Sequence, residues 1–257
     1  MRTYLILISL AVFAPALAFA ASAPSPVPIT MPKSYEDCIA AIPKKADDAL
    51  ERALYWSDHN GGIPAEHCAA LALIALQAYQ DAANRLETIA RDPDAGTLME
   101  RAEFLDQAGN AWILANRLDA AEATFSAALK LSPRNATLWL DRSRVKAAKK
   151  QWAAAEDDAN HALAFDAKRT DAYVARAADR TQQGKKDPAR ADIDKALTID
   201  PTYADALVER GHMRWDAGDK KGARGDWRDA LVNTPANSDT AEAARNYIQN
   251  AELPQDK

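Results

Sequence analysis

The stretch LDQAGNAWILANRLDAAEATFSAALKLSP, residues 105–133, contains the pattern that decides the fold. It ends at Pro133, and three further equal steps along the chain reach Ala167, Pro201 and Pro235. A period of about 34 residues in an alanine-rich chain predicts a stack of helical hairpins. Each hairpin of such a stack buries its apolar face against its neighbours, so the predicted domain is an elongated array without one central core.

Bulky and small residues recur at fixed offsets before these positions. Before the first and the last proline they are Leu105, Gly109, Trp112, Ala121, Phe125 and Ala128, and Leu207, Gly211, Ala223, Trp227 and Ala230. Small residues let two antiparallel helices approach closely, bulky ones fill the space between them, and proline ends the second helix. The spacing resembles that of the tetratricopeptide repeat (TPR) family. It gives four repeats, at 102–135, 136–169, 170–203 and 204–237.

The resemblance implies an all-α fold, a right-handed superhelical solenoid of antiparallel helix hairpins with about five hairpins plus end helices. Residues 34–101 depart from the strict period and predict short helices at 34–41 and 47–58 and one degenerate hairpin at 68–90. Ala82 precedes its counterpart Ala121 by more than one period, so the helix across 97–115 is expected to be longer than its successors. Residues 238–257 predict a capping helix, begun by Ser238, and a tail.

The first residues predict export. Met1-Arg2 is a basic start, Leu5–Leu17 is an apolar run, and Ala18-Phe19-Ala20 is a small-x-small site, which together are typical of a signal peptide over residues 1–20. A proline-rich leader follows at 21–33. The alternative is an uncleaved anchor, but the apolar run is shorter than the ~20 residues of a spanning helix. We therefore expect a periplasmic protein with no membrane span after cleavage.

Two cysteines, Cys38 and Cys68, lie in the irregular part of the chain. An even count in an exported protein favours a disulfide between them. Free thiols, a catalytic Cys-His pair and a metal site with His59 and His67 are the alternatives. Zinc sites normally have ligands paired at spacings of two to four, which this region lacks, so no metal and no cofactor is expected.

Charged residues of the repeats also follow the period of the prolines. One interpretation is a track for anions; the favoured one is a ladder of structural ion pairs between neighbouring hairpins. The net charge of −5 comes from interspersed charges without a basic stripe, which argues against a nucleic-acid partner. The ladder consists of Arg142, Arg176 and Arg210, of Lys146, Arg180 and Arg214 one turn later, and of Asp158, Asp192 and Asp226 on the following helices.

The resemblance also implies where a partner binds, because in TPR proteins the first helix of every hairpin lines a concave groove. On this chain the side chains that point into it form a surface of mixed charge. Asn110 matches one element of the family's carboxylate clamp, but Asp106 takes the place of a required lysine, so that clamp is not expected. The predicted contact residues are Glu103, Asp106, Asn110, Thr137, Leu140, Arg144, Asp171, Val174, Ala178, Asp205, Val208, His212 and Trp215.

The sequence therefore predicts a non-catalytic periplasmic scaffold that binds a protein or peptide partner in its groove. One alternative is a structural subunit of an envelope complex that acts through its convex face. A divergent enzyme is the less favoured alternative, because no nucleophile-base-acid constellation or glycine-rich phosphate loop stands out. Homo-oligomerisation is left open.

Overall fold

A computed structural model describes residues 29–252 of the 257-residue chain. The predicted signal peptide at 1–20, the leader up to residue 28 and the tail from residue 253 lie outside the described residues. Across the described part the chain forms α-helices joined by short turns, and no strand. The helices are α1 (Tyr35–Ala41), α2 (Ala46–Trp56), α3 (Gly62–Ala75), α4 (Tyr79–Arg91), α5 (Leu98–Leu114), α6 (Leu118–Leu131), α7 (Ala136–Ala148), α8 (Trp152–Phe165), α9 (Thr170–Gln182), α10 (Lys186–Ile199), α11 (Ala204–Asp216), α12 (Lys220–Val232) and α13 (Asp239–Glu252).

Successive helices pack as antiparallel pairs, and each pair packs against the next. The pairs are α3–α4, α5–α6, α7–α8, α9–α10 and α11–α12, while α1, α2 and α13 cover the ends. The predicted all-α solenoid of about five hairpins plus end helices is thus confirmed. In the four regular hairpins, α5, α7, α9 and α11 form an inner layer and α6, α8, α10 and α12 an outer layer, as in other solenoids of this kind.

Two glycines show why the period selects small residues. A Cβ atom on Gly109 of α5 would lie 2.6 Å from the Phe125 ring of α6, and one on Gly211 of α11 would overlap Trp227 of α12. Both bulky rings are at most 1% exposed. The two helices of a hairpin can therefore approach closely only where the first presents no side chain to the ring of the second.

The turn inside each hairpin also repeats. Asn116, Lys150, Gly184 and Gly218 follow one another at intervals of one period, and all have positive φ, at +55°, +60°, +75° and +89°. Gln77 has φ +60° and makes the same turn in the α3–α4 hairpin. Residues other than glycine rarely adopt this left-handed backbone conformation. Because asparagine, lysine and glutamine adopt it here, the hairpin requires the turn whichever residue occupies the position.

The departure from the period lies between α4 and α5. A short turn at Pro93–Ala95 and Gly96, with φ +104°, leads to Thr97. The Thr97 hydroxyl accepts from the Glu100 backbone N–H while the Glu100 carboxylate accepts from the Thr97 N–H, a reciprocal cap that starts α5 early. As a result α5 has 17 residues, against 13 in each of α7, α9 and α11.

The amino-terminal hairpin begins earlier than the sequence suggests. Its first helix, α3, starts at Gly62, well before Cys68. The chain reverses into it through Asn60, with φ +69°, and Gly62, with φ +54°. At the other end the Ser238 hydroxyl accepts from the Ala241 N–H at 3.1 Å, which caps α13. Within residues 29–252, no helix combines the length and apolarity needed to cross a bilayer.

Candidate functional site

The predicted contact residues lie along the inner layer, on a surface that we call the groove face: the outward-pointing side chains of α5, α7, α9 and α11. Most of them are accessible. Glu103, Asn110, Thr137, Arg144 and Ala178 are exposed, and Asp106, Asp171, Val174, Asp205, His212 and Trp215 are partly exposed.

Leu140 and Val208 differ from that expectation because both are buried. Leu140 is 0% exposed and packs with Ala162 of α8 and Ala172 of α9. Val208 is 6% exposed and belongs to the core around Trp227, whose indole N–H donates to the Val208 carbonyl oxygen at 3.2 Å. At these positions an inner helix packs against its neighbours, so the side chains stabilise the stack and are not available to a partner.

Carboxylates crowd the amino-terminal half of the groove face. Asp106 is partly buried, and this loss of water together with the negative charges of Asp141 and Glu103 raises its pKa to about 6. Burial also raises the pKa of Asp141, although the Arg144 guanidinium opposes the shift. None of the ion pairs among residues 29–252 involves Glu103 or Asp106. A cationic group brought to this place would be attracted by both.

Two arginines bridge the middle of the groove face. Arg144 of α7 donates to Asp141 at 2.9 Å and to Asp171 of α9 at 3.3 Å. Arg169 donates to Asp171 at 2.7 Å and to the Thr137 hydroxyl at 2.7 Å. Although partial burial opposes it, the hydrogen bonds and charge of Arg169 hold the pKa of Asp171 below its usual value. The negative charge of Asp171 is therefore already compensated by an arginine, whereas that of Asp106 is not.

The carboxyl-terminal half of the groove face meets the capping helix. Asp205 accepts a hydrogen bond from the Thr240 hydroxyl of α13, and His212 stacks on Tyr247 of α13 with ring centroids 5.3 Å apart. Burial raises the pKa of Glu209, which lies beside His212 and Asp205. The carboxylates Glu103, Asp106, Asp171, Asp205 and Glu209, with the nearly buried Asp141 beneath them, outnumber the arginines Arg144 and Arg169, the latter at the start of α9. The surface therefore carries both signs of charge, with an excess of carboxylates.

The predicted contact spot of His212 and Trp215 is largely used within the protein. The Trp215 ring lies 5.6 Å from that of Trp227, and the Lys220 ammonium sits over it, 3.6 Å from the centroid. Glu209, which is partly exposed, and Asp141, which is 8% exposed and lies beneath the groove face, are carboxylates there that the sequence did not predict. They are separated by two full periods, so the repeat register itself could have placed them on one surface.

The amino-terminal end is fixed by a disulfide and a histidine. Cys38 of α1 and Cys68 of α3 are bonded, with their Cα atoms 6.3 Å apart. His67 lies between the Tyr35 hydroxyl, 2.7 Å from Nδ1, and the Gln107 side-chain oxygen, 2.8 Å from Nε2. Burial lowers the pKa of His67, so the ring is neutral: Nε2–H donates to Gln107 and Nδ1 accepts from Tyr35. These bonds join α1, α3 and α5.

The other histidine of the considered metal site is engaged elsewhere. His59 Nδ1 lies 2.7 Å from the Tyr55 carbonyl oxygen, so it donates there. Over residues 29–252 no group of three or more His, Cys, Asp or Glu side chains is placed to hold a metal ion.

The periodic charges lie in the outer seams, by which we mean the spaces between successive outer helices. Arg142 of α7 grips Asp158 of α8 through two bonds, of 2.7 and 2.8 Å, and reaches Ser126 of α6 at 3.1 Å. Arg176 grips Asp192 in the same way and reaches Asn160 of the preceding outer helix at 2.8 Å. The ion pairs therefore lie within one hairpin, whereas the sequence predicted them between neighbouring hairpins. The bonds to Ser126 and Asn160 link each arginine to the preceding hairpin.

The second cation of the ladder pairs with the same aspartate as the first. Lys146 lies 2.7 Å from Asp158, Arg180 donates to Asp192 at 2.7 Å, and Arg214 donates to Asp226 at 2.7 Å beside Arg210. The three aspartates are 2–4% exposed. Such nearly buried, doubly paired carboxylates make the loss of a partner costly.

The seam between α4 and α6 lacks this arrangement. The ladder positions of its repeat, one period before Arg142, Lys146 and Asp158, are occupied by Ala108, Trp112 and Thr124. Glu87 of α4 accepts from the Trp112 indole N–H at 2.9 Å and from the Thr124 hydroxyl at 2.6 Å. No guanidinium crosses this seam from position 108, and a cleft of about 580 Å³ opens there, which we call the outer cleft.

No protein-family model and no curated protein matches the chain. Among solved structures, YrrB, a TPR protein with an unusual peptide-binding site, is 19% identical over 78% of this chain and 99% of its own, with TM-score 0.53. MamA from Desulfovibrio magneticus RS-1 is 18% identical over 65% and 92%, with TM-score 0.55. A chain of the APC/C hetero-tetramer Cut9–Hcn1 is 14% identical over 86% and 43%, with TM-score 0.60. At such identities the likeness is one of fold.

Proposed function

Since this chain has the fold of the tetratricopeptide repeat proteins, we propose that it is a non-catalytic periplasmic scaffold whose groove face binds a protein or peptide segment with cationic side chains. The observation that carries the proposal is the acidic groove face. Its accessible side chains follow α5, α7, α9 and α11 in step, so a segment lying across the helices can contact each repeat in turn. The same fold supports a peptide-binding site in YrrB.

The charges favour a basic partner. Glu103 and Asp106 form no ion pair within the described residues, and Asp141 shares Arg144 and the charge of Arg169 with Asp171. A lysine or arginine from a partner replaces repulsion among carboxylates by attraction. Because the groove residues are held by the packed inner helices, binding needs little rearrangement.

Site-specific photo-crosslinking tests the use of the groove face. A photoreactive amino acid is placed at Ala178, on the groove face of α9, and in a matched strain at Ala153, an exposed alanine of the outer helix α8. We expect a discrete protein adduct at residue 178 and not at residue 153. Equal adducts at both positions, or none at 178, contradict the groove proposal.

The role of charge is tested in the same strains by Asp106→Lys, with Asp157→Lys as control. Asp106 is chosen over Asp171, since reversal at Asp171 would also break its pairs with Arg169 and Arg144. Asp157 is exposed on α8. We expect Asp106→Lys to reduce the adduct about tenfold, as for ~1.4 kcal/mol of binding, and Asp157→Lys to leave it unchanged. An adduct of equal strength in both variants would overturn the proposal that the partner segment is basic.

The periplasmic location is a separate part of the proposal. It is supported by the Cys38–Cys68 disulfide, because disulfides persist in oxidising compartments. Expression of the full chain followed by fractionation and intact-mass measurement should recover, from the periplasm, an oxidised protein that begins at Ala21. A full-length, reduced protein in the cytoplasmic fraction would overturn this part while leaving the groove untouched.

A further inference from the structure

The outer cleft lies on the opposite side of the solenoid from the groove face. Its volume, about 580 Å³, is in the range of ligand-binding clefts. The walls are α4 and α6, and the floor is the outer-facing side of α5, with Leu105 and Trp112. Its apolar lining residues are Ala90, Leu105, Trp112, Ala120, Ala123, Ala127 and Leu131.

The corresponding seam between α10 and α12 is smaller and charged. It holds a space of about 260 Å³ lined by Arg210, Arg214 and Asp194 among others. In the outer cleft the equivalents of Arg210 and Arg214 are Ala108 and Trp112. The missing cations therefore leave both more room and an apolar floor, and nothing among residues 29–252 covers it.

The shape of the cleft suits a helix. Ala120, Ala123 and Ala127 lie at spacings of three and four on one face of α6, so they form an apolar stripe without bulk. Small side chains let a second helix approach closely, and ridges of its larger side chains can fill the space above the floor. An elongated trough between two helices fits a third helix lying along them.

The rim of the cleft is cationic. Arg91, Arg101 and Lys130 stand around it, and Arg101 is fixed by donation from Nε to the Ala90 carbonyl oxygen at 2.8 Å. The one carboxylate of the cleft, Glu87, already accepts from Trp112, Thr124 and Arg91. An occupant that carries carboxylates beside its apolar face is therefore complementary.

A second copy of this chain is a poorer occupant. Two clefts facing each other about a two-fold axis would bring Arg91, Arg101 and Lys130 of both copies together. Like charges opposed in this way weaken association.

We propose that the outer cleft is a second docking site, which binds an amphipathic helix of a partner protein with an apolar stripe flanked by glutamate or aspartate. The site is separate from the groove face, since the two surfaces lie on opposite sides of α5 and carry opposite charges. The protein would then hold two partners at once, a basic segment on its inner face and an acidic helix on its outer face.

Binding of designed helices to the oxidised, full-length mature protein tests the proposal. One fluorescein-labelled peptide carries a leucine-alanine stripe flanked by glutamates, and a second carries the same stripe flanked by lysines. We expect the glutamate peptide to bind in fluorescence anisotropy and the lysine peptide to bind at least tenfold more weakly. Dodecanoate serves as a third probe for a small anionic amphiphile.

Two matched variants locate the binding. Ala123→Trp fills the cleft, whereas Ala191→Trp places the same side chain at the equivalent exposed position of α10, two periods later. We expect Ala123→Trp to weaken binding of the glutamate peptide at least tenfold and Ala191→Trp to leave it unchanged, with equal helicity in both. A dissociation constant above about 1 mM, equal binding of the two peptides, an unaffected Ala123→Trp variant, or binding of dodecanoate in place of the peptide overturns the proposal.

The groove proposal can fail separately. Asp106→Lys should leave binding of the glutamate peptide to the cleft unchanged, because Asp106 lies on the other face. If Asp106→Lys weakens it as much as Ala123→Trp does, the peptide is bound elsewhere and the cleft site is wrong.

Discussion

The outer seams of this solenoid are built in two ways. Between α6 and α8, and between α8 and α10, an arginine bound to a nearly buried aspartate of its own hairpin also reaches the preceding outer helix. Between α10 and α12, Arg210 and Arg214 both pair with Asp226. Between α4 and α6 the same positions hold Ala108 and Thr124, and the seam is open and apolar. The comparison indicates that periodic charge in a repeat protein can be structural, and it is the repeat without that charge which we propose as a docking site.

The largest expected effect comes from breaking a closed seam. Asp192→Ala leaves the guanidinium groups of Arg176 and Arg180 without their shared carboxylate, and we expect it to lower the free energy of unfolding by about 3–5 kcal/mol. The equivalent change in the open seam, Thr124→Ala, should cost about 1 kcal/mol, since only a hydroxyl bond to Glu87 is lost. Urea unfolding of both variants checks the difference; equal losses would show that the two seams do not differ in kind.

The disulfide joins α1 to α3, and α3 packs against α4, which forms one wall of the open seam. By the loop-entropy relation, replacing Cys38 and Cys68, whose sequence separation is 30, with alanine should cost about 3–4 kcal/mol. Hydrogen exchange should show the loss in α1 to α3, with α7 to α12 unchanged because coupling in a solenoid is mainly between neighbours. Uniform loss of protection along the chain would contradict that picture.

Asp179 is an unfavourably buried carboxyl group in one of the regular hairpins. It takes the position of Ala111 and Val145, is 2% exposed, and its Oδ2 has no hydrogen-bond partner among the described residues. Burial, with a smaller contribution from the charge of Glu156, raises its pKa to about 7. We expect Asp179→Val to raise the free energy of unfolding at pH 8 by about 2–4 kcal/mol.

The pH dependence follows from the same shift. Because the pKa of Asp179 in the folded state, about 7, is above the usual value of 3.8, the folded state holds an extra proton between these values. The contribution of Asp179 to stability is therefore fullest below pH 4 and is lost as pH rises towards 7. The gain from Asp179→Val should grow from pH 4 to pH 8 in urea titrations; a gain that is constant with pH would refute the shifted pKa.

The smallest effect concerns the turns that the hairpins share. Lys150 has φ +60° where Gly184 and Gly218 make the equivalent turns. Lys150→Gly should remove the left-handed strain and raise the free energy of unfolding by about 0.5–1 kcal/mol. A thermal shift of a few degrees would be seen by calorimetry, with Ala148→Gly, at an exposed helical position of α7, destabilising as the control.

Much of the fold could be predicted because hairpin packing is local and periodic. The small residues at 109 and 211 and the bulky rings at 125 and 227 need only one partner helix each, so their spacing specifies the contact. The longer α5 was also predictable from the displaced Ala82. The burial of Leu140 and Val208 was not, because it depends on packing between neighbouring repeats.

The site was less predictable for a related reason. The sequence shows that positions 108, 112 and 124 lack the charged residues of the ladder. The volume of the outer cleft, however, depends on the distance between α4 and α6, which the sequence does not give. Likewise the predicted contact residues include several of the carboxylates of the groove face, but Asp141 and Glu209 were not among them. The excess of negative charge on the groove face becomes visible only in the structure, because there the arginines of the ladder lie in the outer seams and not in the groove.

Transfer of the ladder into the open seam tests the central claim most directly. The triple variant Ala108→Arg, Trp112→Arg and Thr124→Asp copies the arrangement of the α9–α10 hairpin, and the introduced guanidinium at position 108 can reach Glu87. We expect a folded protein that binds the glutamate-flanked helical peptide at least tenfold more weakly than the unmodified chain. A folded triple variant that binds this peptide with unchanged affinity would contradict the account, since the open seam would then not be what binds.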